Sequence, residues 1–245
     1  MDHIVRKGYE GTGPGAITPD GCAVELYRRL PVLDEPKWLA LAAPPRPGAR
    51  LLELGSGTGR LTRPLTEQGF AVTAVDESAE MLAEVREWLP GVRTVRSPIE
   101  ALDLPGERFD VVVLMSFLVH AGAEGLREGF LRVCRRHVAD DGVVVIQREA
   151  AGRHEGLPAV RHYPDGGLVR IVSSEPAPDG GRPGARSVHV EYEFPDANWT
   201  QTFMACPLTE KEFETALQEA GLAVDAYLDP DRTWVRAVPV GTRPV

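Results

Sequence analysis

The sequence has few cysteines and no long apolar run, and these absences exclude several classes of protein. Cys22, Cys134 and Cys206 are odd in number and far apart, so they form neither a metal-ligand pattern nor a disulfide framework. No apolar run is long enough to span a membrane, and residues 1–15 lack the apolar segment of a signal peptide. We therefore expect a cytoplasmic protein with no membrane partner and no bound metal.

Positive charge is also scarce. The chain carries 27 Lys and Arg against 36 Asp and Glu, a formal net charge of −9, which leaves no basic footprint for a nucleic acid. Its 245 residues are enough for one α/β domain with an elaboration and a sizeable core. The expected partner is a small molecule, and the expected assembly is a monomer or a homodimer.

The most informative segment present is Leu51–Gly59, which reads Leu-Leu-Glu-Leu-Gly-Ser-Gly-Thr-Gly. A Pro/Gly-rich turn precedes it and a helical pattern follows it, so a buried strand runs into a glycine loop and then a helix. The next strand ends at Val75, and Asp76 follows directly. A glycine loop beside an acid on the neighbouring strand predicts a site for a nucleoside that carries a tail.

The spacing of Gly55, Gly57 and Gly59 narrows the choice of ligand. It differs from the Gly-x-Gly-x-x-Gly of dinucleotide sites, and the Lys-Ser/Thr of a phosphate loop is absent. Glu53 would repel a pyrophosphate, but its charge suits an ammonium or sulfonium group. Asp76 can accept hydrogen bonds from both hydroxyls of a ribose, because an ionised carboxylate offers two acceptor oxygens.

Together with Val75–Ser78 and Phe109–Val113, these residues resemble the class I S-adenosyl-L-methionine (SAM)-dependent methyltransferases. The resemblance runs from about Leu51 to about Arg148 and continues more weakly to the C-terminus. It implies an enzyme whose cofactor is SAM, with the methionine portion in the glycine loop and the ribose on Asp76. The cofactor-binding residues that it implies are Glu53, Gly55, Ser56, Gly57, Gly59, Asp76, Glu77, Pro98, Ile99 and Met115. The alternative is a doubly wound domain that binds NAD or no ligand.

One departure from the family concerns the adenine. Many relatives carry an acid after the third strand that accepts a hydrogen bond from the adenine amino group, whereas this chain has Ser97-Pro98-Ile99, with Pro98 where the acid is usual. Ser97, Glu100 or the backbone of Ile99 are the substitutes that the sequence offers.

Strands alternate with helices through short loops, which predicts an α/β fold with a Rossmann-like, doubly wound, mostly parallel seven-stranded sheet. After Glu149 the helical period disappears and strand-like runs follow, so we expect a small antiparallel sheet inserted after strand five. The predicted core strands are Arg50–Leu54, Ala71–Val75, Val92–Arg96, Phe109–Met115, Val143–Gln147, Leu222–Leu228 and Thr233–Val238. The predicted domains are an N-terminal helical lid (1–45), a SAM-binding core (46–150), an antiparallel insertion over the active site (151–207), and a C-terminal helix with the last two strands (208–245). Within the lid, residues 1–20 are expected to be a flexible loop, and residues 20–43 to be helical.

Chemistry in an open α/β sheet lies beyond the carboxyl ends of its strands, which adds the segments Met115–His120 and Arg148–Glu149 to the candidates. This region resembles small-molecule N-methyltransferases of the amino-sugar and glycine type. In those relatives a His at this point and a Tyr on the N-terminal helix serve the reaction, and carried over these are His120 and Tyr27. The alternatives are a His that caps a helix or closes a loop, and a Tyr that packs against Leu30.

The expected activity is N- or O-methylation of a small, secondary-metabolite-like acceptor by in-line transfer. A SAM-using cyclase or lyase on the same fold is the alternative. The acceptor itself has no recognisable signature in the sequence.

Overall fold

The computed structural model describes residues 6–164, 166–177 and 181–241. Its strands are β1 (Glu10–Thr12), β2 (Arg50–Leu54), β3 (Ala71–Asp76), β4 (Arg93–Arg96), β5 (Phe109–Leu114), β6 (Val138–Gln147), β7 (Ala159–His162), β8 (Leu168–Pro176), β9 (Arg186–Phe194), β10 (Ala197–Ala205), β11 (Leu222–Tyr227) and β12 (Trp234–Pro239). Its α-helices are α1 (Val24–Arg29), α2 (Glu35–Ala42), α3 (Thr62–Glu67), α4 (Ala79–Trp88), α5 (Leu126–His137) and α6 (Glu210–Glu219). None of the helices in the described ranges is both long and apolar enough to cross a membrane.

A mixed seven-stranded sheet forms the larger layer, as predicted, in the order β11-β12-β6-β5-β2-β3-β4. β12 is antiparallel to both of its neighbours, and the pairs from β6 to β4 are parallel. The central strands carry nearly continuous apolar runs because helices cover both faces of a parallel sheet. Their side chains pack against α2 and α3 through Leu39 and Leu65.

A second sheet is antiparallel throughout, in the order β1-β10-β9-β8-β7. The prediction that residues 1–20 form a flexible loop is wrong for β1, since Glu10 pairs with Thr202 and Thr12 with Thr200. Gly11 is required there by close packing, because a Cβ on it would lie 2.0 Å from the carbonyl oxygen of Gly21. Gly11 therefore allows its backbone to approach that of Gly21 closely.

The chain divides into two compact units. One comprises residues up to 31 with 121–124 and 152–207, and the other comprises 32–120, 125–151 and 208–245. This division differs from the predicted boundary at residue 45, because β1 and α1 belong with the antiparallel strands whereas α2 belongs with the seven-stranded sheet. The position of the insertion over the active site stays a prediction.

Several element boundaries differ from those predicted. The helical segment expected over 20–43 is two short helices, α1 and α2. The strand predicted to start at Val143 starts at Val138, and within it a Cβ on Gly142 would be 2.8 Å from the carbonyl oxygen of Asp110 on β5. α5 begins at Leu126, directly after Gly125, which has φ +76°. α3 begins at Thr62, which leaves Pro64 in its first turn, where a proline is tolerated.

The start of α6 agrees with the sequence. Thr209 Oγ1 accepts from the backbone N–H of Glu212, and the Glu212 carboxylate accepts from the backbone N–H of Thr209. This reciprocal pair is a capping box, of which the sequence Thr209-Glu210-Lys211-Glu212 is typical. It fixes the direction in which the chain re-enters the seven-stranded sheet.

Candidate cofactor and active site

The glycine loop between β2 and α3 is held by the neighbouring strand. The backbone N–H groups of Gly55 and Ser56 both donate to the carbonyl oxygen of Val75, at 2.9 and 2.8 Å. Gly55 has φ +73°, and a Cβ on it would lie 3.0 Å from Leu118 Cδ1. Backbone conformation and space both require glycine at this position, so the loop presents main-chain groups with no side chain in the way.

Asp76, at the end of β3, closes the loop from the other side. Its Oδ2 accepts from the backbone N–H of Gly57 at 2.8 Å, and its Oδ1 accepts from that of Ser78 at 2.9 Å. A carboxylate oxygen can accept more than one hydrogen bond, which is the property that a ribose-binding acid needs. The structure thus brings the predicted ribose-binding acid and the glycine loop together.

Glu53 is the buried carboxylate of the site. It is 3% exposed, and its Oε2 accepts from the Thr62 hydroxyl at 2.6 Å. Loss of hydration raises its pKa to about 7; the Thr62 hydrogen bond and the nearby Arg60 lower the pKa, and Asp76 raises it. Arg60 also forms an ion pair with Glu35 at 2.6 Å, so the positive charge of Arg60 is shared between Glu35 and Glu53. A cation bound beside Glu53 would restore the ionised form.

Ser56 supplies an unsatisfied polar group at the same place. Its Oγ is buried and makes no hydrogen bond to any other described residue. Native proteins leave few buried hydroxyls unpaired, so such a group calls for a further partner. Together with Glu53 and the open glycine loop, it fits the polar tail of SAM.

The predicted adenine end is apolar. Ile99 is 8% exposed and follows Pro98 in a short 3-10 helix. Its Cδ1 would lie 3.6 Å from a Cβ on Gly55, so Ile99 and Leu118 both border the glycine loop. Leu118 lies in the nominated segment Met115–His120, but no local pattern in the sequence distinguishes it from its neighbours.

Two other predicted cofactor residues serve the backbone in the structure. The carbonyl oxygen of Glu77 accepts from Arg96 Nε at 3.1 Å. Met115 is buried, packs in the core, and its carbonyl oxygen accepts from the N–H of Leu118 at 3.1 Å. Direct contact of either side chain with a cofactor stays a prediction.

The segment after β5 carries backbone strain. Ser116 and Phe117 have φ of +54° and +61°, a region that residues with side chains rarely adopt. Such strain costs roughly 1–3 kcal/mol per residue and persists only where neighbouring contacts enforce it. Here the N–H of Ser116 donates to Gln147 Oε1 at 3.0 Å, which ties the segment to the end of β6.

His120 lies at the end of this segment and is 2% exposed. Its Nε2 accepts from the backbone N–H of Glu149 at 3.1 Å, and its Nδ1 is 3.9 Å from Glu149 Oε2. The hydrogen bond assigns the neutral tautomer with its proton on Nδ1. The observed contact is therefore that of a histidine that closes a loop, and a role as general base stays a prediction.

Tyr27 belongs to the unit that contains the antiparallel sheet. Its hydroxyl accepts from Cys22 Sγ at 3.2 Å, and its ring packs with Trp199. Burial raises its pKa well above the usual value, and Cys22 raises it further. The ring also packs against the cluster formed by Ala23 and Leu26. A catalytic role for Tyr27 stays a prediction.

Comparison with known proteins identifies the part of the chain that builds this site. The methyltransferase-domain family matches residues 52–146, the stretch from β2 to β6 that carries the glycine loop and Asp76. Residues 52–146 form a class I SAM-dependent methyltransferase domain. Its cofactor is S-adenosyl-L-methionine.

Two relatives share sequence with this methyltransferase domain. The chain is 42% identical over 121 residues to phosphatidylethanolamine N-methyltransferase from Cereibacter sphaeroides, covering 46% of this chain and 57% of the relative. It is 35% identical over 107 residues to ubiquinone biosynthesis O-methyltransferase from Caulobacter sp. strain K31, covering 42% of this chain and 41% of the relative. The match therefore spans about half the length of these relatives.

The fold extends beyond the matched residues. SAM-bound CalS10, an amino pentose methyltransferase from Micromonospora echinaspora, superposes with a TM-score of 0.63 at 22% identity, over 84% of this chain and 89% of that one. At this identity the likeness shows the fold alone. The methyltransferase domain and the strands that accompany it therefore occur together in a solved protein.

Proposed function

We propose that this protein transfers the methyl group of SAM to a small-molecule acceptor, at nitrogen or oxygen. The observation that carries the proposal is the joint geometry of Asp76 and the glycine loop. A carboxylate on β3 holds the N–H of Gly57 at 2.8 Å, beside the buried Glu53 on β2. This arrangement suits a sugar next to a positively charged tail better than it suits a pyrophosphate.

In this proposal, different residues of the site bind different parts of the cofactor. Glu53, Ser56 and the loop backbone hold the methionine portion. Asp76 holds the ribose, and the side chains of Ile99 and Leu118 lie against the adenine. When bound, SAM supplies a methyl group on a sulfonium, which needs little electronic activation.

Orientation is then the main task of the protein. Alignment of nucleophile, methyl carbon and sulfur in line can lower a barrier by roughly 7–11 kcal/mol. A positioned base adds on the order of 10²–10⁴-fold, equivalent to roughly 3–5 kcal/mol and so the smaller contribution. The rigid, strained segment that follows β5 is consistent with a site built for positioning.

The acceptor class is supported by the names of the matched proteins. An amino pentose methyltransferase and a ubiquinone biosynthesis O-methyltransferase both point to small organic acceptors. The names of the two relatives in sequence give N-methylation for one and O-methylation for the other, so they do not choose between nitrogen and oxygen for this chain.

Binding and product analysis test the proposal. Calorimetry should show micromolar binding of SAM and of S-adenosylhomocysteine, with NAD as the control that does not bind. Incubation with SAM and a panel of small amines and alcohols should yield S-adenosylhomocysteine by mass spectrometry. A protein indifferent to SAM at millimolar concentration would contradict the proposal, and methylthioadenosine as the product would replace it with the cyclase or lyase reaction.

A further inference from the structure

We infer that Glu149 is the group that binds the acceptor and receives its proton, that the acceptor is an amine presented as an ammonium ion, and that His120 positions Glu149. The inference rests on the proposed function and deepens it by choosing nitrogen over oxygen. It assigns to the carboxylate the role of base that the sequence pointed to at His120.

Glu149 lies where an acceptor is handled in this class of fold. It follows β6 by two residues, at the carboxyl edge of the seven-stranded sheet, and is 8% exposed. Ligands of open α/β sheets bind beyond this edge. A carboxylate with so little access to water interacts strongly with a cation that reaches it.

The hydrogen bond between Glu149 and His120 decides which of the two can take a proton. The Nε2 lone pair of His120 is already used by the N–H of Glu149, at 3.1 Å. Protonation of Nε2 would place two N–H groups against each other and leave the buried backbone N–H without its acceptor. The carboxylate of Glu149 is not a partner in this hydrogen bond, and its Oε2 lies 3.9 Å from Nδ1, the nitrogen of the same ring that carries the proton.

The same hydrogen bond fixes the place of Glu149 relative to the cofactor loop. His120 ends a 3-10 helix whose first residue, Leu118, borders Gly55. Arg127 Nε donates to the carbonyl oxygen of Val119 at 2.8 Å, which pins that helix from α5. The carboxyl end of β6, the 3-10 helix Leu118–His120 and the glycine loop are thus linked by direct contacts, and all three belong to one compact unit.

The chemistry of an ammonium acceptor needs such a carboxylate. An ammonium ion has no lone pair, so its proton passes to Glu149 and the amine becomes neutral. The nitrogen lone pair then forms the N–C bond to the methyl group while the C–S bond breaks, and that electron pair stays on sulfur. A neutral hydroxyl acceptor of the same shape would donate a hydrogen bond to Glu149, but an ammonium ion adds to that bond the attraction of its full charge.

Sinefungin tests this without knowledge of the acceptor, because it carries an amine where SAM carries its methyl-bearing sulfonium. Calorimetry compares sinefungin with S-adenosylhomocysteine on wild type, Glu149→Gln and the exposed control Glu87→Gln. We expect Glu149→Gln to weaken sinefungin by roughly 10-fold or more, since hydrogen bonds to charged groups are the strong ones, and to leave S-adenosylhomocysteine unchanged. Glu87→Gln should behave as wild type.

Equal sinefungin affinity for Glu149→Gln and wild type would overturn the inference. Failure of wild type to bind either ligand would instead overturn the proposed function. If Glu149→Gln also weakened the binding of S-adenosylhomocysteine, the test would use Glu149→Asp, which keeps the charge on a shorter side chain. A larger loss of affinity for sinefungin than for S-adenosylhomocysteine in Glu149→Asp supports the inference. Equal losses of affinity for the two ligands overturn it.

Two variants test the positioning role of His120. Gln at this position keeps an oxygen that can accept from the N–H of Glu149 but cannot act as a base. We expect His120→Gln to retain sinefungin affinity within about 3-fold, and His120→Ala to lose as much as Glu149→Gln. Equal losses in the two His120 variants would show that the imidazole does more than hold its neighbour.

Discussion

Raising the pH from 5 to 8 is expected to strengthen SAM binding through Glu53. This carboxyl group has a pKa of about 7 because it is buried, so it is largely neutral at pH 5 and largely ionised at pH 8. Only the ionised form attracts the positive charges of SAM. The bound cation in turn lowers the pKa of Glu53, so binding near pH 6 should release a proton.

The size of the effect follows from the position of the pKa. With a value of about 7, roughly one molecule in a hundred has Glu53 ionised at pH 5, and a ligand that requires the ionised form loses up to about 100-fold in affinity there. That ratio corresponds to about 2.7 kcal/mol, at roughly 1.36 kcal/mol for each pH unit. It is an upper limit, because a ligand that tolerates neutral Glu53 loses less.

Folding of the ligand-free protein should respond with the opposite sign. The pKa of Glu53 in the folded protein lies above the ordinary 4.5, so the folded state binds more protons than the unfolded state in the range between them. The contribution of Glu53 to the free energy of unfolding is therefore greatest below pH 4.5. It falls as the pH rises to about 7 and beyond, by about 3 kcal/mol in total.

Calorimetric titration of wild type and Glu53→Gln with SAM, from pH 5 to 8, measures the effect. The ligand's own ionisation contributes equally to both proteins, so the ratio of their affinities isolates Glu53. Two buffers with different ionisation enthalpies count the protons released. Thr62→Val, which removes the 2.6 Å hydrogen bond that lowers the pKa of Glu53, should move the midpoint to higher pH. An affinity ratio that does not change between pH 5 and 8 would refute the reasoning.

Three further substitutions have expected outcomes. Asp76→Asn should weaken SAM by roughly 10²-fold or more, because it removes a charged acceptor for the ribose and for two backbone N–H groups; calorimetry with the exposed Asp103→Asn as control checks this, and unchanged affinity would refute the ribose assignment. Gly55→Ala should lower the free energy of unfolding by about 1–2 kcal/mol, because an L-residue is strained at φ +73°, and thermal unfolding measures it. Thr209→Ala should cost about 1 kcal/mol through loss of the capping box, while SAM affinity stays at the wild-type value.

The parts of the fold that the sequence predicted are those fixed by local chemistry. β2 and β5 are short apolar runs bounded by turn residues, and both occur within a residue of the expected limits. The glycine loop could be predicted from three glycines at a defined spacing, and the role of Asp76 from its position at the end of a predicted strand. The structure places that acid against the loop, as these local signals imply.

The parts that were missed depend on partners distant in sequence. β1 is formed by pairing with the edge of β10, and the sequence of residues 10–12 carries no signal of that pairing. All residues of β7 are exposed, so β7 lacks the alternation that marks a half-buried strand. Ser116 and Phe117 have positive φ, and the N–H of Ser116 donates to Gln147 on β6, a contact across 31 residues. The tautomer of His120 likewise could not be predicted, because it is set by a hydrogen bond from the backbone N–H of Glu149, 29 residues away.

The proposed roles give the site a simple electrostatic logic. SAM is positively charged and so is an ammonium acceptor, and two cations side by side repel each other unless each has its own carboxylate. Glu53 on β2 and Glu149 beyond the end of β6 provide one each, and β5 lies between these two strands, whose axes are therefore about 10 Å apart. In the proposed arrangement the adenine, which is uncharged, lies against the apolar side chains of Ile99 and Leu118 and has no carboxylate of its own. Once the methyl group has moved, the sulfur is neutral and the attraction of Glu53 for the product falls, which favours release of S-adenosylhomocysteine before the next turnover.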